Sequence, residues 1–154
     1  MSIQGKSVLF VCRGNICRSP MAMFLLKHIV KDKEGWVIDS AGYEDWNTGC
    51  GPQEHVYNVM SEHSIPSGDH RARKIEKSDF DRFDYVLCLD EYVMRKLKEE
   101  YPDPSRCRAK LQLLREYDPK KEVFEDPYRG TKSDYEKVFQ QCQVCLKNFF
   151  HAVS

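Results

Sequence analysis

A cysteine, an arginine and a serine share one short run, Val11-Cys12-Arg13-Gly14-Asn15-Ile16-Cys17-Arg18-Ser19-Pro20. A cysteine thiolate is a nucleophile. A guanidinium is a planar fork that fits two oxygens of a tetrahedral anion. A serine hydroxyl can donate a hydrogen bond to sulfur. Together they suit in-line attack on a bound phosphoryl group. A bare Cys-x5-Arg arises often by chance, where it is a core cysteine near a surface arginine. The flanking residues make this run more specific.

Those residues must be held by a strand, a tight loop and a helix start. Val8 to Val11 is a continuous apolar run rich in β-branched and aromatic residues, and reads as a buried strand. Ser19 can cap a helix, and Pro20 suits its first position. A tight loop between them turns several backbone N–H groups, those of Arg13, Gly14, Asn15, Ile16 and Cys17 among them, toward one concavity that binds an oxyanion. Gly14 and Asn15 tolerate the positive φ that such a loop needs. The same N–H groups and the helix dipole favour the thiolate form of Cys12.

Strand and helix signals then alternate. Met21, Phe24, Leu25 and Ile29 recur at helical spacing after the loop, and Trp36 to Ile38 is a short strand ending at Asp39-Ser40. Residues 41–52 form a loop carrying Tyr43 and Trp46. Trp46 either lines a binding surface or folds back on its own domain. Pro52 to about His63 is a helix with Val56, Val59, Met60 and His63 on one face, and His63 reads as a satisfied core or boundary histidine, not a catalyst. Ser78 to Asp81 starts a short helix. Tyr85 to Leu89 is a buried strand, after which Asp90 caps a helix with Val93, Met94 and Leu97 inward. Leu111 to Leu114 is the last strand. Residues 115–132 form a long loop with Asp118-Pro119 and Asp126-Pro127-Tyr128, and an ordered loop of that length is usually functional. Ser133-x-x-Glu136 reads as a capping box for a final helix with Tyr135, Val138, Phe139, Cys142, Leu146 and Phe149 on one stripe. The alternation implies an α/β fold: one domain over 1–154, a twisted sheet of four parallel strands and about five helices. Ligands of such sheets bind at the carboxyl ends of the strands, where Cys12 and Ser40 both fall.

Composition narrows the class. With 154 residues, 41% hydrophobic and 31% charged, the chain suits one globular domain with a sizeable core. Its formal net charge of zero implies no field for nucleic acid or membrane surfaces. No apolar run approaches a membrane span, and the N-terminus lacks a signal-like apolar region, so a cytoplasmic protein is expected. Seven cysteines, several in apolar runs (Cys88, Cys142, Cys145), fit reduced core thiols in a reducing compartment. Cys142-x-x-Cys145 lacks a second ligand pair of similar spacing, so no metal is expected.

The phosphate-loop run resembles the low-molecular-weight protein tyrosine phosphatases. Further similarities follow in the family's order: Asp39-Ser40-Ala41-Gly42, His70-x-Ala-Arg73, Asp84-Tyr85-Val86-Leu87-Cys88-x-Asp90-Glu91 and Glu125-Asp126-Pro127-Tyr128. The resemblance implies hydrolysis of phosphotyrosine in proteins, and of small aryl phosphates, through a phosphocysteine on Cys12, without cofactor. It implies that Arg18 binds phosphate and that Asp126 serves as general acid, then base. It makes Ser40 and His70 a supporting network under the loop, His70 bonding Asn15. It places Trp46 and Tyr128 at the substrate slot. Cys17 becomes a redox partner for Cys12. Nothing in it requires nucleic acid, membrane or an oligomer, so a monomer is expected. Asp118-Pro119 lacks the matching neighbours.

The chain departs from the family pattern at four places. Arg13 replaces a usually apolar residue, Met23 a common Glu, Gly51-Pro52-Gln53 a Pro-Pro-Asp-like segment, and Arg129 a frequent second aromatic. Arg13 and Arg129 would put two cations at one slot mouth, where they attract acidic residues flanking a phosphotyrosine, or else point into solvent or pair with nearby carboxylates. Two alternatives stay open. One is an arsenate reductase on the same fold, which needs mobile downstream cysteines. The other is a catalytically weak phosphotyrosine-binding module.

Overall fold

Val8 to Val11 alternates its side chains between two apolar layers, and this builds the molecule around the first strand. Val8, Phe10 and Cys12 face one core cluster; Leu9 and Val11 face another. Both layers are covered, so the strand is apolar throughout, as parallel sheets require. The computed structural model describes residues 5–101 and 107–154.

In chain order the elements are β1 (Ser7–Cys12), α1 (Arg18–Ile29), β2 (Val37–Gly42), α2 (Glu54–Glu62), α3 (Asp79–Arg82), β3 (Tyr85–Cys88), α4 (Glu91–Glu100), β4 (Lys110–Leu113) and α5 (Lys132–Val153), with a 3-10 turn at Leu114–Tyr117. The sheet is parallel, in the order β2-β1-β3-β4. The expected α/β fold, with four parallel strands and five helices among the described residues, is therefore observed. The chain steps from β1 to β2 on one side, then crosses to β3 on the other. This reversal opens a crevice at the carboxyl end of β1, where such folds bind ligands.

Helices α1, α2 and α5 share one core cluster, and α4 lies in the other with Phe80 of α3. The predicted α5 stripe is buried from Tyr135 to Phe149, with Cys142 and Cys145 inside it. Cys88 is fully buried in β3. No helix among the described residues is long and apolar enough to cross a membrane.

Several local expectations are corrected. Helix α1 starts earlier than expected, with Cys17 as its N-cap and no side-chain cap, so Ser19 and Pro20 lie inside the first turn. Strand β2 continues past Ser40 to Gly42, because pairing with β1 runs to Cys12↔Gly42. Leu114 leaves β4 for the 3-10 turn. The α5 capping box is Thr131 with Asp134, the Thr131 N–H donating to Asp134 Oδ2 at 2.8 Å. Glu136 instead meets His63 Nε2 at 2.8 Å, and the His63 ring stacks on Phe139 at 4.0 Å. Of the core and boundary positions expected of His63, this is the boundary one.

Candidate active site

Cys12 ends β1 and points its sulfur into the loop that follows. The Asn15 N–H donates to Cys12 Sγ at 3.2 Å, and Ser19 Oγ lies 2.9 Å from the same sulfur. Ser19 also accepts from Asn15 Nδ2 at 2.8 Å, which leaves its own hydroxyl hydrogen for the sulfur. Ser19 thus holds the Cys12 sulfur and does not cap the helix. Because no side chain caps α1, its first-turn N–H groups are left to the loop.

Asn15 is the keystone of this loop. It adopts φ 59°, the left-handed region, and is fully buried. Its Nδ2 donates to Ser19 Oγ and to Ser40 Oγ, both at 2.8 Å. Its Oδ1 accepts the Arg73 N–H at 3.2 Å and lies 3.2 Å from His70 Nε2. All four hydrogen-bonding positions of the amide are therefore engaged. Ser40 Oγ also lies 3.0 Å from His70 Nε2, so the predicted Ser40–His70 support is present. Burial lowers the His70 pKa, outweighing Asp39, and keeps the ring neutral near pH 7. Arg73 is itself clamped by Asp39 and by buried Asp79.

Gly14 departs from its expected reason. Its φ is not positive; a Cβ there would sit 2.6 Å from Asn47 Nδ2, the group that donates to Gly14 O at 3.3 Å. The next carbonyl pair ties the loop to α2, with the Gln53 N–H donating to Ile16 O at 2.9 Å. The backbone at Gln53 does this work, so the side-chain departure there leaves the tether intact.

Arg18 is buried, and its Nη1 lies 2.8 Å from Asp90 Oδ2 and donates to Phe124 O at 3.1 Å. Burial opposes its charge, but Cys12, Asp90 and Asp126 outweigh it and raise its pKa. Asp90 has a second task, its Oδ1 accepting the Val93 N–H at 2.8 Å as the expected cap of α4. Its pairing with Arg18 was not legible from that capping role. The only available signal was its place just past the carboxyl end of β3, next to β1 in the sheet.

Cys17 is buried against α5. Burial pushes its thiol up to about 12, and the Tyr135 hydroxyl lies 3.4 Å from the sulfur. The same hydroxyl reaches Tyr128 O at 3.5 Å. Tyr135 was expected only as core.

A cleft of about 320 Å³ opens over Cys12, lined by Arg13 to Arg18, Trp46, Asn47, Asp126, Tyr128 and Arg129. Trp46 is 67% exposed and Tyr128 50% exposed, so two aromatic side chains stand free at the mouth. Asp126 is exposed beside them and accepts the Tyr128 N–H at 3.1 Å. Asp118 lies elsewhere, almost buried, accepting the N–H groups of Lys120 and Glu122. It shapes a turn. Met23 packs in the core and lies outside the cleft lining.

The sequence profile described as "Low molecular weight phosphotyrosine protein phosphatase" matches residues 7–154. The pig (Sus scrofa) low molecular weight phosphotyrosine protein phosphatase is 46% identical, covering 96% of each chain. The human (Homo sapiens) protein of the same name is 45% identical, covering 94% of this chain and 93% of its own. Among solved structures, a drosophila arginine phosphatase has a TM-score of 0.86 at 34% identity, covering 94% of this chain and 96% of that one. Primo-1 has a TM-score of 0.87 at 31% identity, covering 95% and 97%. The match extends from β1 through α5, and so includes the loop, the crevice and the long segment bearing Asp126. The chain belongs to the low molecular weight phosphotyrosine protein phosphatase family.

Proposed function

We propose that this chain hydrolyses phosphotyrosine in proteins, and small aryl phosphates, with Cys12 as nucleophile, Arg18 as phosphate ligand and Asp126 as general acid and base. The observation that carries the reading is the setting of Cys12 Sγ, with the Asn15 N–H and Ser19 Oγ upon it and Arg18 lining the same cleft. The phosphate oxygens meet the loop N–H groups from Arg13 to Cys17 and the arms of Arg18 not engaged by Asp90 and Phe124. Charge developing on those oxygens is met by donors already in place, which is the larger part of such catalysis. Cys12 attacks phosphorus as Asp126 gives a proton to the departing phenolate oxygen. Asp126 then takes a proton from the water that attacks phosphocysteine, and the Ser19 hydroxyl stabilises the sulfur that leaves.

Trp46 and Tyr128 supply the aromatic mouth that a phosphorylated phenol ring fits. Arg13 and Arg129 line the same cleft, and two cations there disfavour a guanidinium-borne phosphate. Cys17 stays a protonated thiol at neutral pH and does not compete with Cys12. It is the thiol that a peroxide-oxidised Cys12 would meet to form a disulfide. The free-thiol cysteines fit a reducing compartment such as the cytoplasm.

The deciding experiment measures turnover of an aryl phosphate, a phosphotyrosyl peptide and a phosphoarginyl peptide with a chelator present, beside arsenate reduction with thioredoxin. Hydrolysis of the two aryl substrates is the expected result. Faster phosphoarginine turnover, or arsenate reduction alone, overturns the assignment. Binding of phosphotyrosine without turnover would leave a recognition module.

A further inference from the structure

Arg13 points along the rim onto α4. Its Cζ lies 3.9 Å from the centroid of the Tyr92 ring and 6.0 Å from that of Trp46. Arg95 Cζ and Lys96 Nζ lie 5.6 Å and 5.7 Å from the same Tyr92 ring. Three cations thus gather about one aromatic side chain next to the mouth. The ring is fixed in place: Tyr43 meets it edge-on at 6.2 Å, and the Tyr43 hydroxyl donates to Glu100 at 2.5 Å. The backbone below Arg13 is fixed as well, its carbonyl accepting the Glu44 N–H at 2.9 Å.

A guanidinium laid over a ring uses its face and keeps its in-plane N–H edge for a carboxylate. Among the described residues neither Arg13 nor Arg95 has an ion-pair partner, although Glu44 and Asp45 lie on the loop with Trp46. Lys96 pairs only with Glu99, at 3.8 Å. Glu91, the acidic residue next to Tyr92, is held by Arg115. Of the cations about Tyr92, Arg13 and Arg95 are therefore not neutralised by the nearest acids, and Lys96 has only its exposed neighbour Glu99.

Resting on the phosphatase reading above, we propose that Arg13, Tyr92, Arg95 and Lys96 form a reader for acidic sequence, so that the preferred substrates are phosphotyrosines with Glu or Asp within a few residues. The phosphotyrosine occupies the cleft, and flanking carboxylates lie along the strip from Arg13 to α4. Arg129, on the segment bearing Asp126, adds a cation across the same mouth. The contacts are solvent-exposed, so the selectivity is moderate and sensitive to salt.

The test compares kcat/KM for one phosphotyrosyl peptide with Glu flanks and its Gln-flanked twin, each relative to an aryl phosphate without flanks. Wild type should favour the Glu peptide by about three- to tenfold at low salt and lose the preference in about 0.5 M salt. The double variant Arg95→Gln/Lys96→Gln should hydrolyse the aryl phosphate as wild type does and lose most of the preference. Arg13→Leu should lose it too, each ratio being taken within that variant. Equal rates for the two peptides, or a preference that survives both variants, overturns the reader while leaving the phosphatase intact. If the aryl phosphate is not hydrolysed, the phosphatase reading fails first. The reader is then judged by the Kd ratio of the two peptides for Cys12→Ser, where a ratio near one overturns it.

Discussion

The floor of the cleft and its rim are built by opposite rules. On the floor, Cys12, Asn15, Arg18, Ser19 and Ser40 are all buried; Cys12, Asn15, Ser19 and Ser40 share one hydrogen-bond network, and Arg18 is held by Asp90 and the Phe124 carbonyl. At the rim, Arg13, Trp46, Asp126, Tyr128 and Arg129 are exposed and hold few partners. A buried polar network is costly unless every member is satisfied, so the floor has one arrangement. The rim carries no such constraint and can vary. Two of the chain's four departures from its family pattern, Arg13 and Arg129, sit at the mouth, whereas Met23 lies in the core and Gln53 at the start of α2; every residue bonded to Cys12 Sγ matches.

The sharpest way to break the floor is to remove the sulfur. Cys12→Ser should lower aryl phosphate turnover by more than about a thousandfold, since a lost nucleophile costs several kcal/mol of barrier. Phosphate binding, read by calorimetry, should persist because Arg18 and the loop remain. Turnover within tenfold of wild type would remove Cys12 from the mechanism.

Asp126 tests whether a rim residue also takes part in chemistry. Asp126→Asn should slow turnover by roughly a hundredfold for poor leaving groups and less for those that depart unaided. Asp118→Asn should leave the chemical step unchanged and act on stability alone, through its two backbone bonds. A larger kinetic defect in Asp118→Asn would exchange their roles.

The smallest effect concerns the support under the floor. His70 has a folded pKa below its ordinary value, chiefly through burial. The unfolded chain therefore takes up a proton near pH 6.5 before the folded chain does. The stabilisation is complete above that pH and is lost as pH falls through the lower folded value. Thermal denaturation between pH 7.5 and 5 should show wild type losing stability more steeply than His70→Gln. Equal slopes would mean that His70 does not carry this dependence.

The legibility of the molecule follows the same division. Local pattern sufficed for β1, for the α5 stripe and for the sheet class, because periodicity reports which side of an element is buried. It was less exact at element ends. Ser19 looked like a cap because serine caps helices, yet its hydroxyl is claimed by Cys12 and Asn15. Ser133-x-x-Glu136 fitted the capping pattern, but Thr131 and Asp134 fit the backbone, and Glu136 turned to His63.

The sequence by itself determined the strand, loop and helix that set Cys12 above an anion site, since residues Val8 to Pro20 are contiguous and their preferences are local. Resemblance singled out Asp126 over Asp118, which composition and spacing could not separate. Only the tertiary structure decided which distant groups complete the site. Asp90 reaches Arg18 because β3 lies beside β1. Tyr135 reaches Cys17 across 118 positions of sequence because α5 packs on α1. Arg13 meets Tyr92 because α4 begins beside the loop. Such pairings depend on the order in which strands assemble, and no residue type or spacing within one segment encodes its neighbour in the sheet.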